Sequence, residues 1–237
     1  MKRPLFFLIT SVVATIFLAG CMPGGVKIDQ PTSASSTGVM IKISEICLML
    51  TPCANQNVTF ARLADNGDIL SDELYQAYIM KSNHYYLLNA QPGTYVAVAA
   101  SYSRGLNVST TVGNVTGTAK RVFAENILFS EELVRQTKIE ITPGKLAVMG
   151  SFSFDIEGRM SFAPSAAQFL KAADSIQTHY AKALDPEMES RGATSGIKFY
   201  RGVSPTVLND AGSKQKLLDK AFDHIGAEGW GDLIKAQ

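Results

Sequence analysis

The chain has 237 residues, 46% hydrophobic and 18% charged, an ordinary globular balance with room for one large domain or two small ones. Its formal charge of +1, with no basic stripe and no block of like charge, excludes the electrostatic footprint of a nucleic-acid binder.

At the N-terminus, Lys2 and Arg3 form a positive region, residues 5–18 an apolar run, and small residues follow. The run is too short to span a bilayer, which takes about 20 apolar residues, and reads as a cleaved signal. It closes on Leu18-Ala19-Gly20-Cys21. This tetrad resembles the lipobox of bacterial lipoproteins. The resemblance implies a signal peptide over residues 1–20, cleavage before Cys21, diacylglycerol on its thiol, and an N-acyl chain such as palmitate on the new amine. In that family, Asp after the lipid-bearing cysteine retains the protein in the inner membrane. Met22 stands here, so the implied address is the cell envelope at the outer membrane, on its periplasmic or surface face.

Residues 21–38 contain Pro23-Gly24-Gly25 and a Ser/Thr-rich run from Pro31 to Gly38, the composition of a flexible tether. Cys47 and Cys53 remain once Cys21 carries lipid. In an oxidising compartment they are expected to form a disulfide around Pro52, with free buried thiols as the alternative.

Residues 39–158 read as one β domain. Strands are predicted at 40–46, 58–63, 85–88, 95–100, 127–129, 137–141 and 146–156 by apolar alternation. In the last of these, Leu146, Val148, Phe152, Phe154 and Ile156 are expected on one face, with Gly150 marking a bulge or a close backbone approach. Asn66-Gly67 is a two-residue hairpin signal, Thr142-Pro143-Gly144-Lys145 a type II turn, and residues 104–120 a long polar loop or an exposed hairpin. Many short strands with Gly and Pro turns suggest an antiparallel β-sandwich. Leu87-Leu88-Asn89-Ala90-Gln91-Pro92-Gly93-Thr94-Tyr95-Val96-Ala97-Val98 resembles the Pro-Gly-x-Tyr hairpin of prealbumin-like and carboxypeptidase-regulatory-like modules. That resemblance implies a small sandwich whose role is mostly non-catalytic.

Residues 159–237 read as mostly helical, packed on the sandwich. Ser165 with Gln168 forms a capping box, and Phe169, Ala173, Ile176, Tyr180 and Leu184 share a helical face. A short strand is expected at 197–200, and a last helix at 214–225, ended by Gly226.

Tyr75, Tyr78, His84, Tyr85 and Tyr86 make an aromatic-rich stretch that offers a binding patch for a glycan or partner protein, or alternatively core and cross-strand pairs. The three histidines show no metal-ligand spacing, and no serine nominates a nucleophile with its base. Neither a metal nor a catalytic residue is expected, and the covalent lipid on Cys21 is the only prosthetic group. The leading reading is a membrane-anchored, non-enzymatic accessory or binding subunit of another envelope protein. The alternatives are a carrier of a small apolar ligand, and a lipid-anchored envelope hydrolase whose site is assembled from distant residues.

Overall fold

Among the described residues, runs of β-branched and aromatic residues produce ten strands, which form one sheet. The computed structural model describes residues 28–44, 46, 53–65, 68–77, 79–112, 115–157, 164–190 and 196–236; Cys21, Cys47, Asn66-Gly67 and Tyr78 lie outside them. The strands are β1 (Gly38–Ile43), β2 (Cys53–Arg62), β3 (Leu74–Ala77), β4 (Ile79–Lys81), β5 (His84–Leu88), β6 (Gly93–Val112), β7 (Val115–Phe129), β8 (Ile139–Ile141), β9 (Leu146–Glu157) and β10 (Ile197–Leu208). Their order is β3-β2-β6-β7-β10-β9-β1-β5-β4, with β8 beside the start of β6. β3 and β4 stand at opposite ends of this order, yet a single residue separates them in the chain. The two edges are therefore drawn together and the sheet nearly closes into a barrel.

β1 runs parallel to β9, and β10 parallel to β7. These joints overturn the expected antiparallel, prealbumin- or immunoglobulin-like β-sandwich: the architecture is one rolled mixed sheet. Gly and Pro turns announce local hairpins, and hairpins do join β4 to β5 and β6 to β7. A parallel pair joins strands distant in sequence and leaves no local mark. Nor does the region beyond residue 159 simply pack on the outside. Its β10 is a full-length strand between β7 and β9, with Pro205 at a register shift where a ladder N–H is not required.

Five α-helices among the described residues cover the outside. α1 (Glu131–Gln136), α2 (Ala166–Ala172) and α3 (Ser175–Leu184) lie over β6, β7 and β10, while α4 (Ala211–Ile225) and α5 (Gly231–Lys235) lie over β9, β1 and β5. The capping box at Ser165 and Gln168 is present. The expected single helix breaks, because Asp174 and Gln177 form a second capping box that starts α3. Gly226 is right-handed and leads into a 3-10 turn, Gly226–Glu228; the left-handed terminator is Gly229, at φ 93°. Ser82 and Asn83, both at positive φ, make the tight β4–β5 turn without any glycine.

Gly150 divides two cores. Met40 pairs with Val148 but Lys42 with Ser151, so β9 carries an extra residue there. The bulge sends Leu146 and Val148 outward against Leu217, Ala221, Ile225 and Trp230, whereas Phe152 and Ile156 join the main core with Ile41, Ile43 and Phe129. The expected single apolar face of β9 is thus two faces.

The expected tether is laid against the body from Ile28 onward. Ile28 is buried in the α4–α5 core. The Trp230 indole donates to Asp29 O at 2.8 Å, and Asn89 donates to Gln30 O at 3.0 Å. Pro31 lies where a side chain at Gly229 would fall, 3.2 Å from an ideal Cβ. The Ser36 hydroxyl accepts from Thr32 N and Ser33 N, folding the Ser/Thr run into a turn.

Gly150 has φ +134°, and an added Cβ would lie 3.0 Å from Leu208 O. Gly150→Ala is expected to destabilise the protein by more than about 1 kcal/mol, read as a lower urea midpoint.

Candidate functional site

β6 has 20 residues against 10 in its neighbour β2, and β7 has 15 against 12 in β10. β2 accompanies β6 only to Arg104, and β10 accompanies β7 only from Ala124. Beyond these points, among the described residues, β6 and β7 pair only with each other, as a two-stranded arm ending at the Val112–Val115 pair. Residues 105–112 of β6 extend it about 25 Å past the body at 3.3 Å per residue. Leu106, Val108 and Val112 pair across to Arg121, Ala119 and Val115, alternating with Asn107, Ser109 and Thr111 opposite Lys120, Thr118 and Thr116. Of the two forms expected for residues 104–120, loop or hairpin, the hairpin is present. Its Val and Thr content favours strand over coil.

A charged cluster marks the root of this arm. Period-two alternation places Tyr102 and Arg104 on one face of β6, and the register sets Glu125 of β7 opposite Tyr102. Glu125 is 1% exposed. Arg104 Nη2 donates to its Oε1 at 2.5 Å, and the Tyr102 hydroxyl donates to Oε2. Burial raises the Tyr102 pKa, and the Glu125 hydrogen bond and charge raise it further. Tyr200 of β10 is pushed up to about 12 by burial and then by Glu125, with Arg104 opposing. Tyr102 therefore remains a protonated donor at any physiological pH. Both Glu125 oxygens are engaged, so the carboxylate ties Tyr102 and Arg104 to β7. Arg104 Nε is buried and makes no hydrogen bond to the described residues.

The sequence expected none of these four residues in a site. The available signal was Glu125 itself, a charge in the buried row of Glu125, Ile127 and Phe129. Reading the strand only from residue 127 left it out.

Of the two readings of the aromatic stretch, binding patch or core pairs, Tyr85, Tyr86 and His84 take the core one; Tyr78 lies outside the described residues. Tyr85 and Tyr86, neighbours on β5, are both buried and belong to different cores: Tyr85 donates to Gln56 Oε1 at 3.0 Å, while Tyr86 lies 2.7 Å from His224 Nδ1. His84 is buried, its Nδ1 against Ser82 O at 2.8 Å. Tyr75, on β3, donates to Glu73 and stacks at a tilt on Tyr95, 6.0 Å between centroids. The physical reason is alternation: adjacent residues on a strand point to opposite faces, so a run of aromatics feeds two cores. Of the expected disulfide, Cys53 starts β2, and Cys47 lies outside the described residues. Among the described residues no three His, Cys, Asp or Glu are grouped to hold a metal ion. No described helix is long and apolar enough to cross a membrane.

A second polar cluster ties α4 to the sheet. His84 and His224 meet edge-on at 5.1 Å between centroids, and Lys81 Nζ donates to His224 O at 2.6 Å. Burial lowers both imidazole pKa values. Lys42 and Lys220 lower His84 further, against hydrogen bonds to Ser82 O and Lys81 O. His84, Lys81 and Lys220 lower His224, against Asp223. Tyr86, its own pKa raised by burial, shares a hydrogen bond with His224 Nδ1 at 2.7 Å.

No family model matches the chain, and no curated protein or solved structure matches it either. The functional reading therefore rests on the chain's own residues.

Two outcomes are expected. Glu125→Ala, which strands Arg104, should cost about 3–5 kcal/mol, whereas joint Glu125→Leu and Arg104→Leu should recover most of that loss in urea titration. The histidines give a pH dependence whose sign is fixed. Their folded pKa values lie below the ordinary 6.5, so the unfolded chain binds more protons in that interval. Stability is whole above 6.5 and falls as pH drops below it. The melting temperature should decline from about pH 7 to about pH 5, and His224→Gln should flatten that slope.

Proposed function

We propose that this protein is a lipid-anchored, non-enzymatic accessory subunit of the bacterial cell envelope, and that the β6–β7 arm is its contact with an envelope protein partner. The anchor reading rests on Leu18-Ala19-Gly20-Cys21, with diacylglycerol and an N-acyl chain on Cys21. Two or three acyl chains suffice for stable attachment, at about 0.8 kcal/mol per buried CH₂. Met22 favours the outer membrane.

The observation that carries the binding role is the arm. A two-stranded ribbon is marginal by itself and presents outer edges of N–H and C=O groups that another strand can pair with. The body holds this ribbon by the Arg104–Glu125–Tyr102 cluster at its root, the arrangement of a preorganised contact element. Strand addition to such an edge is a general mode of protein recognition, in which main-chain bonds give affinity and alternate side chains give specificity.

The test is crosslinking in intact cells, followed by purification through a C-terminal tag and mass spectrometry. The wild-type chain is compared with Cys21→Ser and with a variant whose residues 107–120 are replaced by Asn-Gly. One abundant envelope protein should be captured by wild type and lost in both variants, with the melting temperature of the shortened chain unchanged. Equal capture without the arm would overturn its role.

A further inference from the structure

The start of β5 gathers positive charge from three strands and a helix. Lys42 of β1 and Lys81 of β4 both pair with His84 of β5, so the three form one row across adjacent strands, about 10 Å from end to end. Residues paired in this way share a face of the sheet. Met40 and Tyr86, two places along β1 and β5, are buried in the α4–α5 core, so the row lies on the face that α4 covers. Lys220 and His224, four residues apart on α4, join it from one side of the helix.

The floor of this cluster is buried and its rim is open. His84 is 5% exposed and His224 half-buried, while Lys81 and Lys220 are exposed. The two imidazoles meet edge-on. His84 Nδ1 lies against two carbonyls, Ser82 O at 2.8 Å and Lys81 O at 3.2 Å, so it carries the ring proton. His84 Nε2 is then an acceptor in the neutral ring and becomes a donor once the ring is protonated. Lys81 is held beside His224 by its bond to His224 O, and its ammonium keeps two further donors.

Acids are scarce around these groups. The charges that act on His84 are those of Lys42 and Lys220. On His224 they are Lys81, Lys220, the His84 ring and Asp223, and Asp223 is itself held by Lys220 at 3.1 Å. Among the described residues no ion pair engages Lys42 or Lys81. Three ammoniums less one carboxylate leave an excess of two positive charges, set over two imidazoles that their surroundings keep neutral. Such a cluster concentrates positive potential on a partly buried face and attracts an anion to it.

We propose that Lys42, Lys81, Lys220, His84 and His224 form a binding site for a doubly charged phosphate group, either a phosphomonoester or inorganic phosphate. The two unmatched ammoniums match its charge, and lysine binds phosphate as a point charge from a flexible stem. The anion brings a proton with it. Its charge favours the imidazolium form of His84, whose Nε2 then donates to a phosphate oxygen. Occupancy and imidazole protonation are therefore linked, each raising the other. The site depends neither on the lipid at Cys21 nor on the arm.

The test is NMR of the imidazole resonances of the full chain in uncharged maltoside micelles, titrated with inorganic phosphate against chloride at equal ionic strength. The chain has three histidines, and His179 on α3, beside Ser71 O and Asp72, is the internal control. His84 and His224 should shift saturably and titrate at a higher pH in phosphate, with His179 unmoved. Lys42→Gln and, at an exposed position of α4, Lys220→Gln should each weaken the response about tenfold or more. Equal shifts at all three histidines, a response that does not saturate, or an undiminished response in both variants overturns the site. Micelles doped with phosphatidic acid distinguish the sources. Shifts reproduced by the doped micelles assign the phosphate of a lipid headgroup, shifts seen with inorganic phosphate alone assign a soluble phosphate, and silence to both overturns the proposal.

Discussion

The structure depends on β10. It pairs parallel with β7 on one side and antiparallel with β9 on the other. Without it the sheet is two pieces, β3-β2-β6-β7 with β8 beside β6, and β9-β1-β5-β4, joined only through β8 and β9, their outer strands and the shared core. The first piece carries the arm, and the second carries α4, α5 and the N-terminal segment from Ile28. β10 comes late in the chain, so the two pieces become one body only after nearly the whole sequence is available. Its central pairings are non-local, the kind that reward the chain only after a long loop has been closed.

That joint gives the two polar clusters their meaning. Arg104, Glu125 and Tyr102 lie where β6 and β7 leave the shelter of β2 and β10, and Arg104 and Tyr102 engage the buried Glu125 carboxylate on both oxygens. A charge placed there is costly unless fully paired, and being paired it fixes the direction of the arm. His84, Tyr86 and His224 do comparable work at the other side, seating α4 over β5 through groups that stay neutral at pH 7. Because both imidazole pKa values are lowered, mild acid is expected to loosen the seat of α4 on the sheet.

Much of the local structure was legible in the residues. Ser165 and Gln168 announced α2, Pro143-Gly144 a turn with Gly144 at φ 79°, and Gly150 a bulge. What alternation could not convey was partnership. Met40, Ile41 and Lys42 read as one strand whether β9 beside it runs parallel or antiparallel, and the sandwich was inferred from hairpins alone. The bulge at Gly150 exchanged the faces of β9 midway, which no period-two count detects across an extra residue. Asp174 and Gln177 did signal a second helix start, but the apolar stripe from Phe169 to Tyr180 continued across it and masked the break. The tether was read from composition; Trp230, two hundred residues away, is what holds it down. The candidate site shows the same limit: Glu125 is informative only beside Arg104 and Tyr102, and that adjacency exists only once β6 and β7 are in register.

The most direct measurement of this account is amide hydrogen exchange on the full chain, resolved along β7, β9 and β10. If β10 unites the sheet, its residues 197–203 should exchange in the same slow class as residues 124–129 of β7 and 151–156 of β9, all opening together, while residues 105–112 of the arm exchange much faster. Should β10 instead exchange as fast as the arm while β7 and β9 stay protected, the two pieces would be stable without it, and the account of one sheet united by β10 would be contradicted.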